Sequence, residues 1–345
     1  MNRLFIFLAL TVLLCVSCEK DKDKPQGSYL TGNGVFIINE GNFGKGNGSI
    51  SFYSYDSVKM FNNLFSNANS RPIGDVPNSM LISDEKVYIV VNGSGKIEIV
   101  EKETIKSTAT ISNINSPRDI TIVSASKAYV SCMYSDSVAI LDTKNDVITG
   151  YINIRRTSES IVVKNNKAYI TNWVGGKEIM VINTETDAVI DSIEVAAEPE
   201  SMVLDKNNTL WVLCNGGWMR ESNAELIAID ISSNKITKRL VFPTIDDSPS
   251  CLRIDGTAST LYYLNSGVQK LSITDTAIPS SKFISSTSNF FYNLGINPNN
   301  GDILATDGID YVQNGNLLIY NSAGSLISTQ ETGIIPGKLY FNADK

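Results

Sequence analysis

PRDITIVSASKAYVSCMYSDSVAILDTKNDVITGYINI, residues 117–154, decides the architecture. A proline opens it, and a short apolar strand follows at Ile120–Val123. Three more strands come after tight polar turns: Ala128–Cys132, Val138–Asp142 and Val147–Ile154. Val, Ile, Tyr and Leu dominate them, as a pleated, half-buried surface favours. The phrase returns seven times at a spacing near forty residues. A four-stranded unit at that period is the signature of a β-propeller, an all-β ring of radial sheets.

The neighbouring copies register cleanly on either side. Ser158 opens Ser160–Val163, Ala168–Asn172, Ile179–Asn183 and Val189–Val195; Pro199 opens Ser201–Leu204, Leu210–Cys214, Leu226–Asp230 and Lys235–Phe242. Pro77 opens the copy before them, ending in Ser107–Ile111. Pro249 opens a later one whose fourth strand is expected at Lys282–Ser285, and Phe291 opens the next. Asn, Asp and Gly in the hairpin turns, as in Lys164–Lys167 and Pro298–Gly301, accept positive φ at little cost. No stretch shows a sustained helical period.

The two ends complete each other. Gly34–Tyr55 supplies strands two and three of a blade, with a fourth expected in Val58–Phe65, but has no strand one. Pro336–Asn342 is an isolated strand one. The C-terminal strand is therefore expected to complete the N-terminal blade, closing the ring and removing open edges. From Gly34 to Pro336 the chain runs 302 positions, about 43 for each of seven blades.

The chain has 345 residues, 42% of them hydrophobic, enough for one large domain, read here as 34–345. A net charge of −7 with no long basic block argues against a nucleic-acid partner. Residues 1–17 read as a signal peptide: Asn2 and Arg3 precede the apolar run Leu4–Val16, too short for a permanent span. A small residue followed by Cys18 resembles a bacterial lipobox, although Cys15 stands where Leu is usual. Cys18 would then be the lipidated first mature residue, and 18–33 a charged tether beginning Glu19-Lys20-Asp21. The other reading is an ordinary cleaved signal. The acidic alternation after the cysteine resembles the surface-export signal of Bacteroidetes lipoproteins; a plain charged linker is the alternative. Cys132, Cys214 and Cys251 are an odd count at unsuited positions for a disulfide framework, and read as small core residues.

There is no histidine at all. That removes His-based zinc sites, Ser-His-Asp and Cys-His catalysis and any imidazole ligand to a cofactor metal. Gly41–Gly48 is glycine-rich but joins two strands and precedes no helix, so it reads as a long loop and not a phosphate cradle. Asp246-Asp247 and Asp307–Asp310 are the nearest carboxylate groupings, and their spacing matches no ion-binding loop, so no metal site is assigned.

In a propeller the segment before strand one and the loop between strands two and three open on the same face. The first set supplies Arg118, Glu159, Glu200 and Tyr292, beside Asn78, Ser250 and Lys338. The second supplies Asn42, Phe43, Asn92, Tyr134, Trp173, Trp218, Met219, Arg220 and Tyr311, beside Met133, Asn215, Asn265 and Asp307. Trp211 lies within a strand. The Pro199 copy inserts Gly216–Glu221 where other copies cross in a few residues, and long loops in compact repeats tend to be functional. Aromatics beside amides and an arginine suit a large, partly apolar ligand with a polar fringe. Packing of each aromatic on its neighbouring blade is the alternative.

The recurring Pro-x-x-Ile … Ala-Tyr-Val/Ile … Val-x-Ile-Asp/Asn-Thr … Val-Ile pattern resembles the YncE-like, surface-layer-type propellers, carried best by residues 117–154 and 158–195. With the lipobox and tether, the chain resembles the BtuG-type lipoproteins of gut Bacteroidetes. That resemblance implies a non-enzymatic, lipid-anchored protein of the outer membrane, facing the cell exterior. It would capture a corrinoid, cobalamin, as ligand and not as cofactor, and pass it to a TonB-dependent transporter. It implies no particular contact residues. Two other classes stay open: a metal-dependent propeller lactonase or lyase using Asp, Glu and Asn around the channel, and a surface scaffold for protein partners.

Overall fold

The computed structural model describes residue 30 and residues 32–83, 86–286 and 289–342. The signal segment, Cys18 and most of the tether lie outside the described residues. Seven four-stranded antiparallel sheets form the ring. Blade one orders Pro336–Asn342, Gly34–Asn39, Ser49–Ser54 and Lys59–Phe61 from the axis outward. Its N- and C-terminal strands pair from Gly34↔Asn342 to Asn39↔Pro336, so the last strand closes the ring as the repeat requires. Blades two to seven follow in chain order, with inner strands Pro77–Ile82, Pro117–Ser124, Ile161–Lys164, Pro199–Leu204, Ser250–Ile254 and Phe291–Ile296.

Burial follows radial position. The second strand Lys86–Val91 is buried at five of six residues, whereas the outer strand Ser107–Ser112 alternates half-buried and exposed. The core lies between blades: Tyr169 and Val181 of blade four pack with Val212 and Ile227 of blade five, and Trp211 and Leu226 with Leu261 and Tyr263 of blade six. Trp211 is 2% exposed and donates its indole N–H to Asp205 Oδ2 at 3.0 Å, in keeping with its strand position. Cys132, Cys214 and Cys251 are free and buried, as core residues.

The turn motif of the repeat is a latch between blades. Asp142 Oδ1 accepts the backbone N–H groups of Lys144 and Asn145, and Asp146 turns the chain at φ 57°. Asp146 then receives Tyr88 Oη at 2.8 Å and Lys86 Nζ at 2.7 Å from blade two. Tyr129 and Lys127 grip Asp187 of blade four in the same way. Tyr169 and Lys167 each reach Asn234 Oδ1 of blade five at 3.1 Å. Blade five carries Trp211 at the tyrosine position, and Lys238 takes over, donating to the Ile273 and Asp275 carbonyls of blade six.

Two expected strands are cut short. In 58–65 only Lys59–Phe61 pairs, and Leu64–Asn69 is a one-turn-and-a-half helix. Leu64 and Phe65 enter the core beside Ile73 and Ile105, and so short a helix has no period to read. In 282–285 only Ile284–Ser285 pairs, with Val268 and Gly267. Lys282 is exposed, and the Phe283 N–H bonds the Val268 carbonyl outside the ladder. Among the described residues no helix is long and apolar enough to cross a membrane.

Candidate functional site

In six of the seven blades the inner strand begins with a kink; that of blade four, Ile161–Lys164, pairs in register throughout. Register slips after Pro77, Pro117 and Pro199, and likewise after Ser250 and Phe291; in blade one it slips between Ile37 and Asn39, opposite Lys338. Proline has no N–H to give a ladder and so sits at strand starts, and a bulge re-aims the side chains that follow it. The slipped positions include Asn78, Arg118 and Asp119, Glu200, Cys251, Tyr292 and Lys338.

These residues meet around the central channel. Arg118 of blade three forks onto Glu159 of blade four, at 2.7 and 2.8 Å. Tyr292 Oη of blade seven donates to Glu40 Oε2 of blade one at 2.9 Å. Glu200 Oε2 accepts the Cys251 N–H at 3.0 Å, and Asp119 Oδ2 the Ile161 N–H at 3.1 Å. Lys338 of blade one feels the charges of Asp119 and Glu159 of blades three and four. Burial raises the Glu40, Asp119 and Glu200 carboxyls above their ordinary values, opposed mainly by Arg118, Lys338 and Ser201 respectively. Burial works against the charges of Lys338 and Arg118 too, but Asp119 and Glu159 outweigh it and hold both cations firmly protonated. The throat is thus a ring of carboxylates interleaved with cations. Among the described residues no three His, Cys, Asp or Glu groups stand close enough to share a metal ion.

The second set divides between rim and wall. Phe43 is 82% exposed at its loop tip. The glycines beneath it give their N–H groups to Asp75: Gly44 at 2.8 and 3.0 Å, Gly46 at 3.3 Å. A side chain already fills that nest, which settles the loop against a phosphate. Phe43 and Tyr134, 66% exposed, border a cleft of about 540 Å³ with Asn92, Asn113, Asn115 and Ser116. Asn92 Nδ2 bridges to Ser116 Oγ and the Pro117 carbonyl, both at 2.9 Å. Across the ring Trp218 and Met219 are 82% and 76% exposed. Their loop is closed by the Arg220 N–H on Gly217 O, and Arg220 reaches the Asp247 carbonyl at 3.4 Å.

Asn42 and Tyr311 form a seam, with Asn42 Nδ2 donating to the Tyr311 carbonyl. The Tyr311 ring stands edge-on between Phe290 at 5.3 Å and Tyr292 at 5.7 Å, linking rim to throat. Trp173 is half-buried and its Nε1 is buried without a hydrogen-bond partner. The geometry therefore gathers Arg118, Glu159, Glu200 and Tyr292 in the throat, Asn42, Phe43, Asn92, Tyr134 and Tyr311 along one arc of the face, and Trp218, Met219 and Arg220 opposite. Sequence reasoning did not single out Glu40 and Asp119. Glu40 and Asp119 thus join Glu159 and Glu200, the carboxylates that the sequence places on this face. The proline before Arg118-Asp119 was the available signal, since a bulge after it turns two residues inward and not one.

The family model described as a domain of unknown function, DUF5074, matches residues 33–342. The chain belongs to the DUF5074 family. No protein of curated function matches it. Among solved structures it is similar to a quinonprotein alcohol dehydrogenase-like protein from Bacteroides thetaiotaomicron, at 12% identity and TM-score 0.71, covering 91% of this chain and 79% of that one. A functionally unknown protein from Desulfotomaculum acetoxidans aligns at 12% identity and TM-score 0.70, covering 90% and 98%. Virginiamycin B lyase from Staphylococcus aureus aligns at 18% identity and TM-score 0.59, covering 75% and 84%. At these identities the likeness shows the fold alone.

Proposed function

We propose that this DUF5074 propeller is a binding protein and not an enzyme, and that its loop face captures a corrinoid such as cobalamin. In this reading Cys18 anchors it by lipid to the outer membrane, facing outward, and it passes its ligand to a TonB-dependent transporter. The observation that carries the reading is the exposure of Phe43, Tyr134, Trp218 and Met219 on loops of one face. Large apolar side chains held in water around a polar centre mark a surface meant to be covered. In the throat beneath them Arg118 is committed to Glu159, and Glu200 and Asp119 to backbone N–H groups, which suits recognition more than proton transfer. A chain with no histidine would hold the corrinoid by its periphery, without a protein imidazole on cobalt.

Titration with cyanocobalamin tests this directly. Saturable binding at or below micromolar ligand is expected, and Phe43→Ala with Tyr134→Ala should weaken it at least tenfold, as should Trp218→Ala. Trp173→Ala should weaken it as well. No saturation at micromolar ligand would sink the reading. The second reading is a metal-dependent lyase or lactonase, against which stands that no three His, Cys, Asp or Glu groups among the described residues are close enough to share an ion. A stoichiometric bound divalent ion, with ring opening of a lactone substrate lost on Glu159→Gln, would establish that instead.

A further inference from the structure

Blade two crosses the loop face in a short turn, residues 92–95, between Lys86–Val91 and Lys96–Glu101. Gly95, at φ 57°, lets the chain turn there at little cost. Over this turn lies the cleft of about 540 Å³ bordered by Phe43 of blade one, Tyr134 of blade three and the 113–116 segment that enters blade three. Its volume is in the range of small-ligand sites. Its lining is open to water: Gly93, Ser94, Asn113 and Asn115 are all exposed, as are the two aromatics.

Among the described residues that border the cleft, none is charged. The Asp75 carboxylate stands beside Gly93, but it is taken up by the Gly44 and Gly46 N–H groups. Asn92 Nδ2 spends its hydrogens on Ser116 and Pro117, which leaves Oδ1 unpaired and open to solvent. Asn115 Nδ2 holds the Tyr134 carbonyl at 2.6 Å, and its Oδ1 is left to accept. The Asn113 amide bonds no protein group among the described residues. Ser94 Oγ takes the Asp75 N–H at 2.9 Å and keeps its own hydrogen to give. The cleft thus offers donors and acceptors together, without charge, beside two exposed aromatic rings.

We infer that this cleft is a binding site for a neutral saccharide, a pyranose ring with free hydroxyls. Each hydroxyl both gives and accepts, which is what a lining of mixed amide and hydroxyl groups calls for. The C–H face of the ring covers an aromatic side chain, whose negative π-face attracts it. A carboxylate or phosphate would find no cation in the lining, and an ammonium no anion. A wholly apolar ligand would strip water from the amides and return no hydrogen bond. Phe43 and Tyr134 are shared with the corrinoid reading, but Ser94, Asn113 and Asn115 are not, and the inference does not rest on it.

Ligand-observed NMR on the folded protein tests it, with the methyl pyranosides of glucose, galactose and mannose as probes. Cyclohexanol, with a like ring and a single hydroxyl, is the control. Saturable binding of at least one pyranoside in about the millimolar range is expected for so small a ligand, at least tenfold tighter than cyclohexanol. Asn113 sits at φ 64°, so Asn113→Gly removes the amide without backbone strain. It should raise the Kd at least fivefold and leave the melting temperature unchanged. Tyr134→Ala should raise the Kd at least tenfold, whereas Tyr134→Phe, which keeps the ring, should bind as the wild type does. No saturation with any of the three pyranosides, cyclohexanol binding as tightly, or unchanged affinity in both Asn113→Gly and Tyr134→Ala would overturn the site. Cyanocobalamin titrated into the same protein keeps the two readings apart. Pyranoside binding without cobalamin binding would sink the corrinoid reading alone, and cobalamin binding without pyranoside binding would sink this one alone.

Discussion

Glu200 shows how a strand start becomes part of a site. The slip after Pro199 turns its side chain into the throat, where the Cys251 N–H caps one oxygen and burial raises the pKa. Folding therefore favours its protonated form, and the sign follows. Its contribution to stability is fully present below the unfolded pKa, about 4.3, and is lost as pH rises through the higher folded value. Glu200→Gln keeps an acceptor for Cys251 and removes the charge. It should raise the melting temperature at about pH 8 and leave it unchanged at about pH 4, below the unfolded pKa. Thermal melts at the two values check it; an equal gain at both would assign the effect to packing. Burial raises the Cys132 and Cys251 thiols to about 12, so neither is a ready nucleophile or metal ligand at neutral pH.

Between elements, the repeat is held by its latches. The Lys-x-Tyr of one second strand and the Asp or Asn of the next blade's outer turn are separate pieces of pattern in the sequence, and each looks like ordinary strand and turn chemistry. Their pairing is visible only once adjacent blades are stacked, because the partners are about sixty positions apart. Tyr129→Phe removes a hydroxyl bonded to Asp187 and should cost about 1–3 kcal/mol, as a bond to a charged group does. Urea unfolding measures it, and Tyr88→Phe should behave alike. Close approach at blade junctions adds a second constraint. A Cβ on Gly315 would lie 2.4 Å from Pro336 Cδ, the first residue of the closing strand. Gly315→Ala should therefore destabilise by at least ~1 kcal/mol through overpacking, read in the same experiment. The shortened outer strand of blade six was not legible, since Lys282–Ser285 looks like any other fourth strand, and the crossing segment that displaces it has no period.

For the whole molecule, closure is the decisive event. The pairing of Gly34–Asn39 with Pro336–Asn342 joins the two ends of the described chain, and without it both neighbours would present raw strand edges. A chain ending at Ile335 should lose cooperative thermal unfolding and run as aggregates in size-exclusion chromatography; a monomer with an unchanged melt would refute the closure's importance. The blade period, the missing strand one and its return at Pro336 were all written in the linear sequence, because strand alternation and turn chemistry are local. So was membership of one face for the two sets of loop residues, which follows from antiparallel order alone. The tertiary structure decided which of those residues stand in water and which turn inward. Phe43 and Trp218 project, whereas Arg118, Glu159 and Glu200 close on one another beneath them. It also brought in Glu40 and Asp119, and set Lys338 against the charge of Asp119. These are distances between blades far apart in the chain, and only a closed ring with bulged inner strands makes them short.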